Sequence, residues 1–118
     1  MLVLCYPRCS TCKKALAWLD EHHIDYQLRD IQKQNPTEKE LKAWYRQSGL
    51  PLGRFFNTSG LAYKALELAA KRPNMSEAEQ LAVLATDGML VKRPLVVGQD
   101  FVLTGFKQAE WEDRFLKK

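Results

Sequence analysis

The sequence predicts one α/β domain in which a β-α-β unit is followed by helices and then by a β-β-α unit. Three features support this fold class: an apolar run at residues 1–4 that leads through a turn into an amphipathic segment, two helix-capping patterns in mid-chain, and an apolar hairpin before a final amphipathic segment. A chain of 118 residues can bury a sufficient core without disulfide bonds. We therefore expect residues 1–118 to form a single domain.

The first thirty residues have the pattern of a strand, a helix and a second strand. Residues 1–6 are apolar, as in a strand buried on both faces, and Pro7 ends the run. We expect Ser10 or Thr11 to cap the helix that follows. The apolar stripe of that helix is predicted to contain Ala15, Leu16 and Leu19, with Trp18 as a further candidate. Residues 24–29 alternate with a period of two, so they predict a second strand, parallel to the first.

Residues 37–86 are predicted to form a helical block between the two halves of the sheet. Two capping boxes begin helices there, because a Thr or Ser is followed three residues later by a Glu. These pairs are Thr37 with Glu40 and Ser76 with Glu79. Gly49 is expected to end the first of the helices. Residues 57–60 are expected to start a further helix that runs through Leu68.

The last part of the chain predicts a hairpin and a helix. Residues 95–97 and 101–103 are expected to be paired strands. The inner face of the final helix is predicted to contain Phe106, Trp111 and Phe115. With a Cys-x-x-Cys motif directly after the first strand, this element order is that of a thioredoxin-like or glutaredoxin-like fold. Pro94 stands at the entrance to the third strand, where such folds hold a cis-proline against the thiols.

Composition and charge limit the classes of function. The net charge is +4, but Lys and Arg are scattered, so we expect no direct binding of nucleic acid. No segment approaches the roughly 20 apolar residues of a membrane span, and the N-terminus has no targeting pattern. We predict a cytoplasmic monomer that has no membrane partner. In a reducing compartment, three cysteines within eight positions indicate redox or metal chemistry.

The chemistry is predicted to lie in Cys9 and Cys12, at the start of the first helix. A nucleophilic cysteine must be ionised, and the unpaired N–H groups and dipole of a helix start favour negative charge there. Arg8 and Lys13 add positive charge nearby. Cys12 lies one turn deeper and is expected to be more shielded. We therefore predict that Cys9 attacks and that Cys12 resolves the intermediate by closing a disulfide.

The same turn is suited to binding an oxyanion. Backbone N–H groups of residues 10–12, with the hydroxyls of Ser10 and Thr11, could surround an anion above the thiol. Arg93, just before Pro94, is expected to approach from the opposite side. The candidate substrate-binding residues are thus Ser10, Thr11, Arg93 and Pro94.

Other interpretations of the same residues remain open at this point. The two thiols could be inert and buried. A zinc site needs about four ligands, and the three cysteines supply at most three of them. The fourth ligand would have to be His22 or His23, but both lie about 15 Å away along the helix, too far to bind the same ion. We therefore predict no metal. Cys5 is expected to be a core residue, and Arg93 is as consistent with a surface arginine as with an anion anchor.

Four motifs, taken together, resemble the ArsC/Spx family over essentially the full length of the chain. They are residues 6–15 (YPRCSTCKKA), 57–60 (NTSG), 87–94 (DGMLVKRP) and 104–107 (TGFK). The resemblance implies a thioredoxin fold with a helical block inserted after the second strand. Within the family, the uncharacterised arsenate reductase-related members are the most similar.

One branch of this family contains arsenate reductases that are coupled to glutaredoxin. Resemblance to it implies that Cys9 is the nucleophile and that Arg93 is one of three oxyanion-binding arginines. The other two arginines fall at about Asn57 and Gly105, and a histidine that assists the nucleophile falls at Cys5. The implied function is a thiol-dependent reductase of an arsenate-type oxyanion or a disulfide. It would hold no bound cofactor and take electrons from glutathione, a thioredoxin or a glutaredoxin.

The other branch is Spx, a regulator that binds the C-terminal domain of the RNA polymerase α subunit and uses a Cys-x-x-Cys pair as a redox switch. Cys9 and Cys12 match that pair, and the glycine of its polymerase contact falls near Pro51. Our first hypothesis is a thiol-dependent reductase. The alternative is a redox-switched transcription regulator that binds RNA polymerase.

Overall fold

The computed structural model describes residues 1–117. Its four strands form one mixed sheet in the order β2-β1-β3-β4. They are β1 (Leu2–Cys5), β2 (Gln27–Asp30), β3 (Leu95–Val97) and β4 (Val102–Thr104). Strand β1 pairs with β2 in parallel and with β3 in antiparallel orientation, and β3 and β4 form an antiparallel hairpin. This topology confirms the predicted β-α-β and β-β-α units of a thioredoxin-like α/β fold.

Six α-helices surround the sheet, and four of them lie between β2 and β3. They are α1 (Ser10–Glu21), α2 (Glu38–Ser48), α3 (Leu61–Ala65), α4 (Leu68–Lys71), α5 (Glu77–Leu84) and α6 (Gln108–Phe115). Single 3₁₀ turns occupy Leu52–Phe55, Arg72–Asn74 and Gly88–Leu90. Both predicted capping boxes are confirmed, because the cap side chain and the Glu side chain each accept the other residue's backbone N–H. Gly49 ends α2 in the left-handed conformation, as expected.

Four local predictions are wrong. The last strand, β4, is Val102–Thr104 and not 101–103, a shift of one residue. The first helix is capped by Cys9 rather than by Ser10 or Thr11, which are its first two residues. Strand β2 begins at Gln27, later than the alternating pattern indicates. The helix expected to run through Leu68 is interrupted by Glu67, which has a φ of 54° and separates α3 from α4.

The sheet separates two hydrophobic clusters. Neighbouring residues of a strand point to opposite faces, so Val3 joins one cluster and Leu4 the other. The cluster that contains Leu4 packs against the helical block and includes Phe55 and Phe56, both buried. The cluster on the other face packs α1 and α6 against the sheet, and Trp111 is its largest fully buried side chain. No helix within residues 1–117 is long and apolar enough to cross a membrane.

The helical block is attached to the segment that leads into β3. Phe56 and Val91 form an isolated antiparallel bridge. The N–H of Asn57 donates to the carbonyl of Leu90 and the N–H of Lys92 donates to the carbonyl of Phe55, both at 2.8 Å. The Arg93–Pro94 peptide bond that follows is cis, as the pattern predicts. These contacts hold residues 55–57 of the block against the segment that precedes the cis-proline.

Candidate active site

Cys9 occupies the N-cap position of α1. Its backbone is extended, with φ −84° and ψ 117°, and its N–H donates to the carbonyl of Tyr6 at 3.0 Å. Its sulfur accepts the backbone N–H of Cys12 at 3.4 Å. A thiol at an N-cap accepts an N–H that the helix leaves unpaired, and this interaction favours negative charge on the sulfur. The turn therefore fixes the Cys9 sulfur at the positive end of the helix while leaving the residue partly exposed.

A cavity of about 650 Å³ opens beside Cys9. Its walls come from the first turn of α1, the segment before α3, the residues before the cis-proline and the loop after β4. They are Cys9, Thr11, Gly53, Arg54, Phe56, Asn57, Thr58, Ser59, Gly60, Lys92, Arg93, Thr104, Gly105, Phe106 and Lys107. The partly exposed thiol thus faces a space large enough for a small-molecule substrate.

The residues that line this cavity carry four positive side chains and no carboxylate. The cations are Arg54, Lys92, Arg93 and Lys107. The guanidinium of Arg54 also contacts Glu110, outside the cavity wall, at 3.5 Å. Concentrated positive charge of this kind attracts anions and stabilises a thiolate. Sequence reasoning identified only Arg93. Arg54 and Lys107 are far from it in the sequence and are brought beside it by chain topology, whereas Lys92 is its neighbour in the chain.

Arg93 is held in place from several sides. Its guanidinium lies 5.5 Å from the centre of the Tyr6 ring, and its Nη1 donates to the carbonyls of Met89 and Val91 at 3.4 and 3.5 Å. Its Nε is buried and has no hydrogen-bond partner among residues 1–117. Since a buried donor without an acceptor is costly, the unused N–H is available to an anionic ligand.

Thr104 supplies a second unused polar group. The residue is 4% exposed, its Oγ1 has no partner in the part of the chain that the structure describes, and it lines the cavity. It is the last residue of β4 and pairs in register with Leu95, directly after the cis-proline. Thr104 begins the TGFK motif, but it was not predicted as a site residue, because a Thr at the end of a strand is ordinary.

Cys12 lies behind Cys9 rather than in the cavity wall. It is 1% exposed, in agreement with the expectation that it is shielded. A hydrogen bond with the thiol of Cys5, on β1, is the main cause that holds the pKa of Cys12 below that of a free thiol, although burial opposes that shift. N–H and S–H donors from Tyr6 and Cys9 and the charge of Arg93 act in the same direction.

A second, smaller cavity of about 330 Å³ reaches Cys12 from the other side of the thiol turn. Its walls are mainly apolar and are formed by Cys5, Tyr6, Pro7, Cys12, Lys13, Leu16, Leu28 and Asp30. Cys5 and Cys12 are thus the only two cysteines that line it, and Cys9 is the only one that lines the cationic cavity.

The structure brings together three of the predicted site residues in the cationic cavity, namely Cys9, Thr11 and Arg93. Ser10 is exposed and Pro94 is buried, and neither lines that cavity. The positions of the two further family arginines, Asn57 and Gly105, do line it. In residues 1–117, no group of three or more His, Cys, Asp or Glu side chains is arranged to hold a metal ion.

Comparison with known proteins agrees with this geometry. The model of the ArsC family matches residues 4–114. A crystal structure from Bacteroides fragilis, described as ArsC family related, has a TM-score of 0.92 and 60% identity, and covers 95% of this chain and 94% of its own. A Streptococcus mutans structure, described as a possible arsenate reductase, has a TM-score of 0.88 and 42% identity over 97% of each chain. The uncharacterised Bacillus subtilis protein YusI is 49% identical over 110 residues, 93% of each chain.

Regulators match the chain at lower identity. The Bacillus cereus protein named global transcriptional regulator Spx 2 is 26% identical over 102 residues, which are 86% of this chain and 76% of that protein. The matches confirm the resemblance to the ArsC/Spx family on which the sequence analysis relied. The similar proteins thus include one described as a possible arsenate reductase and others named as transcriptional regulators.

Proposed function

This chain belongs to the ArsC family, and from that membership we propose that it is a thiol-dependent reductase in which Cys9 attacks the substrate and Cys12 resolves the intermediate. The substrate is an arsenate-type oxyanion or a disulfide that carries negative charge. The observation that supports this most strongly is the arrangement of the two thiols. The accessible Cys9 sulfur lines a cationic cavity, and the backbone N–H of Cys12, the buried thiol behind it, donates to that sulfur.

For a disulfide, the Cys9 thiolate attacks one substrate sulfur. A Cys9 mixed disulfide forms and the other substrate sulfur leaves as a thiolate. Cys12, as a thiolate, then attacks the Cys9 sulfur and expels the remaining half of the substrate. Two electrons pass from the thiol pair to the substrate, and the protein is left with a Cys9–Cys12 disulfide.

For an arsenate-type oxyanion, the Cys9 sulfur replaces an oxygen on arsenic(V), and the oxygen leaves as hydroxide or water. Cys12 attacks the Cys9 sulfur, and the electron pair of the sulfur–arsenic bond goes to arsenic, which leaves as arsenic(III). Arg93 supports this use of the site, because its unused Nε and its charge can bind an oxyanion. Thr104 Oγ1 can donate to the same ligand.

The Cys9–Cys12 disulfide must be reduced before the next cycle. Glutathione, a thioredoxin or a glutaredoxin would supply the electrons, and no cofactor is bound in this scheme. A glutathione molecule carries net negative charge, which suits a cavity lined by Arg54, Lys92, Arg93 and Lys107.

The decisive assay measures arsenate reduction with glutathione and glutaredoxin, in parallel with reduction of a glutathione mixed disulfide. Turnover of at least one substrate is expected, and Cys9→Ser should abolish it. Lys33→Met, which removes an exposed cation outside the cavity, is the matched control and should leave the rate unchanged. If neither substrate is turned over, the reductase proposal is wrong.

The second candidate is a redox-switched transcription regulator, and the match to Spx proteins favours it. In this case the Cys9–Cys12 pair would control binding to the C-terminal domain of the RNA polymerase α subunit. A pull-down with that domain, in the oxidised and the reduced state, distinguishes the two candidates. Binding in one state only would support the regulator, and absence of binding in both states would eliminate it.

A further inference from the structure

Cys5 has no role in the reductase scheme, and its surroundings differ from those of an ordinary core cysteine. It is the last residue of β1 and is 4% exposed. Its carbonyl accepts the N–H of Ile31 at 2.9 Å. Its side chain lies in the same buried cluster as Cys12, and both thiols line the smaller cavity. Strand β1 therefore holds a third thiol against the resolving cysteine.

The environment of Cys12 explains why this contact matters. The cluster to which it belongs is built, apart from Cys5, of apolar side chains: Val3, Ala15, Trp18, Leu19, Val96 and Trp111. A thiolate in such surroundings is unfavourable unless donors reach the sulfur. The backbone N–H of Cys12 itself is used on the sulfur of Cys9. A donor for the Cys12 sulfur must therefore come from another residue.

We propose that Cys5 is a positioning residue of the thiol pair, whose S–H donates to the Cys12 sulfur and keeps Cys12 ionised and directed at the sulfur of Cys9. This role rests on the proposed function, in which Cys12 must attack the Cys9 sulfur to close the disulfide. Cys5 itself is neither oxidised nor reduced, and it touches no substrate. The step that it serves is closure of the Cys9–Cys12 disulfide, in which the Cys12 electron pair forms the new bond and the substrate half leaves from the Cys9 sulfur.

The charges around the pair support this assignment. The two buried thiols share one proton, so the hydrogen bond that lowers the pKa of Cys12 raises the pKa of Cys5, and burial raises it further. Cys5 thus stays protonated and remains a donor. The other groups that face Cys12 are Cys9 from the N-cap, the backbone N–H of Tyr6 and the Arg93 guanidinium. Lys13 and Asp30 line the smaller cavity.

The first test follows closure in the whole protein with dithionitrobenzoate, an aromatic disulfide. Reaction at Cys9 releases one thionitrobenzoate, and closure by Cys12 releases a second. The rate of the second release is measured against pH for the wild type, Cys5→Ala and Cys5→Ser. In Cys5→Ala the midpoint of the closure rate should move up by a pH unit or more, which slows closure about fivefold or more at pH 6. Cys5→Ser retains a donor and should recover most of the rate. Superimposable profiles would overturn the proposal.

The second test does not depend on catalysis. In a Cys9→Ser background, ultraviolet absorbance of the thiolate reports ionisation of the Cys5–Cys12 pair directly. The midpoint should lie below neutrality, and it should rise when Cys5→Ala is added. A midpoint near that of a free thiol would contradict the assignment, whatever the arsenate assay shows. Peptide mapping after oxidation should find Cys9 joined to Cys12; a Cys5–Cys12 disulfide would make Cys5 a redox thiol and overturn the positioning role.

Discussion

The backbone N–H of Cys12 donates to the sulfur of Cys9 across 3.4 Å. The main chain of Cys12 therefore holds the Cys9 sulfur in place before the Cys12 sulfur attacks it. The same helical turn that holds the Cys9 sulfur also sets the distance over which the Cys12 sulfur must move to close a disulfide. Since the two functions use different atoms of Cys12, its main chain and its side chain, substitution can separate them.

Replacement of Cys12 by Ser should keep the N–H on Cys9 and remove the resolving thiol. We expect Cys9 to react with iodoacetamide at a rate close to that of the wild type, while the intramolecular disulfide no longer forms. A stable mixed disulfide with glutathione should accumulate instead, and mass spectrometry detects it. Cys9→Ser should lose both reactions. An intramolecular disulfide in Cys12→Ser would show that Cys5 can replace Cys12.

Arg93 should contribute strongly to anion binding. Loss of a charged hydrogen-bond donor costs about 1.5–3 kcal/mol, which is roughly a 10- to 100-fold loss in affinity. Arg93→Met should therefore weaken protection of Cys9 against alkylation by arsenate or phosphate by this factor. Arg93→Lys should recover only part of it, because Lys cannot reproduce the planar donors. If the anion protects Cys9 from alkylation equally in Lys33→Met and Arg93→Met, Arg93 does not bind the anion.

Thr104→Val should have opposite effects on stability and on binding. The hydroxyl of Thr104 is buried without a partner among residues 1–117, and Val has nearly the same shape. We expect the variant to be more stable by about 1 kcal/mol in urea unfolding, since an unpaired buried hydroxyl is unfavourable. Affinity for an anion in the cavity should fall. Lower stability together with unchanged affinity for the anion would mean that the Thr104 hydroxyl does not bind a ligand in the cavity.

Gly88 should tolerate no side chain. A Cβ at this position would lie 1.8 Å from the carbonyl oxygen of Ile31, so backbone must move to accept it. We expect Gly88→Ala to destabilise the protein by about 3 kcal/mol in urea unfolding. Gly49→Ala is the comparison variant. It has φ +67° and open space around it, so its cost should be only about 1 kcal/mol. Equal losses would contradict the steric explanation.

Glu40 should make stability depend on acid pH. Its carboxylate accepts both Nη1 and Nη2 of Arg29, at 2.7 and 3.0 Å, and the pKa of Glu40 is lowered to about 2 by this hydrogen bonding. Because the folded pKa is below the unfolded one, the contribution is present above about pH 5 and is lost as the pH falls towards 2. The pair is partly exposed, so we expect about 1 kcal/mol.

Glu40→Gln keeps the capping box, since a Gln side chain can accept the N–H of Thr37, and removes the charge. Its stability at pH 7 should be lower than that of the wild type by the same amount. The difference between the two proteins should disappear near pH 2, as measured by urea unfolding at each pH. A difference that stays constant with pH would exclude the ionic contribution.

Local signals in the sequence predicted the elements that depend on neighbouring residues. The capping boxes at Thr37 and Ser76 formed where expected, because both hydrogen bonds of each box lie within four residues. The break at Glu67 has no such signal, since the residues on either side of it favour a helix.

The candidate site was predictable only in part for the same reason. Cys9 and Arg93 belong to recognisable motifs, and they line one cavity. Arg54 and Lys107 come from the helical block and from the loop after β4, and only the assembled chain places them beside the thiol. The contact of Cys5 with Cys12 likewise requires the packing of α1 on the sheet, which residue spacing does not specify.

The bridge between Phe56 and Val91 has a consequence for how this protein can diversify. It joins the helical block to the segment that leads into β3, so that residues 57–90 form a loop closed at this bridge. Arg54 and Asn57 lie next to the bridge in the sequence and line the cationic cavity, whereas Cys9 lines it from the start of α1 and Cys12 does not line it. Substitutions that change which molecule is admitted can therefore accumulate on one segment while the reacting atoms stay untouched. Related proteins can therefore keep the same thiol turn and act on different molecules.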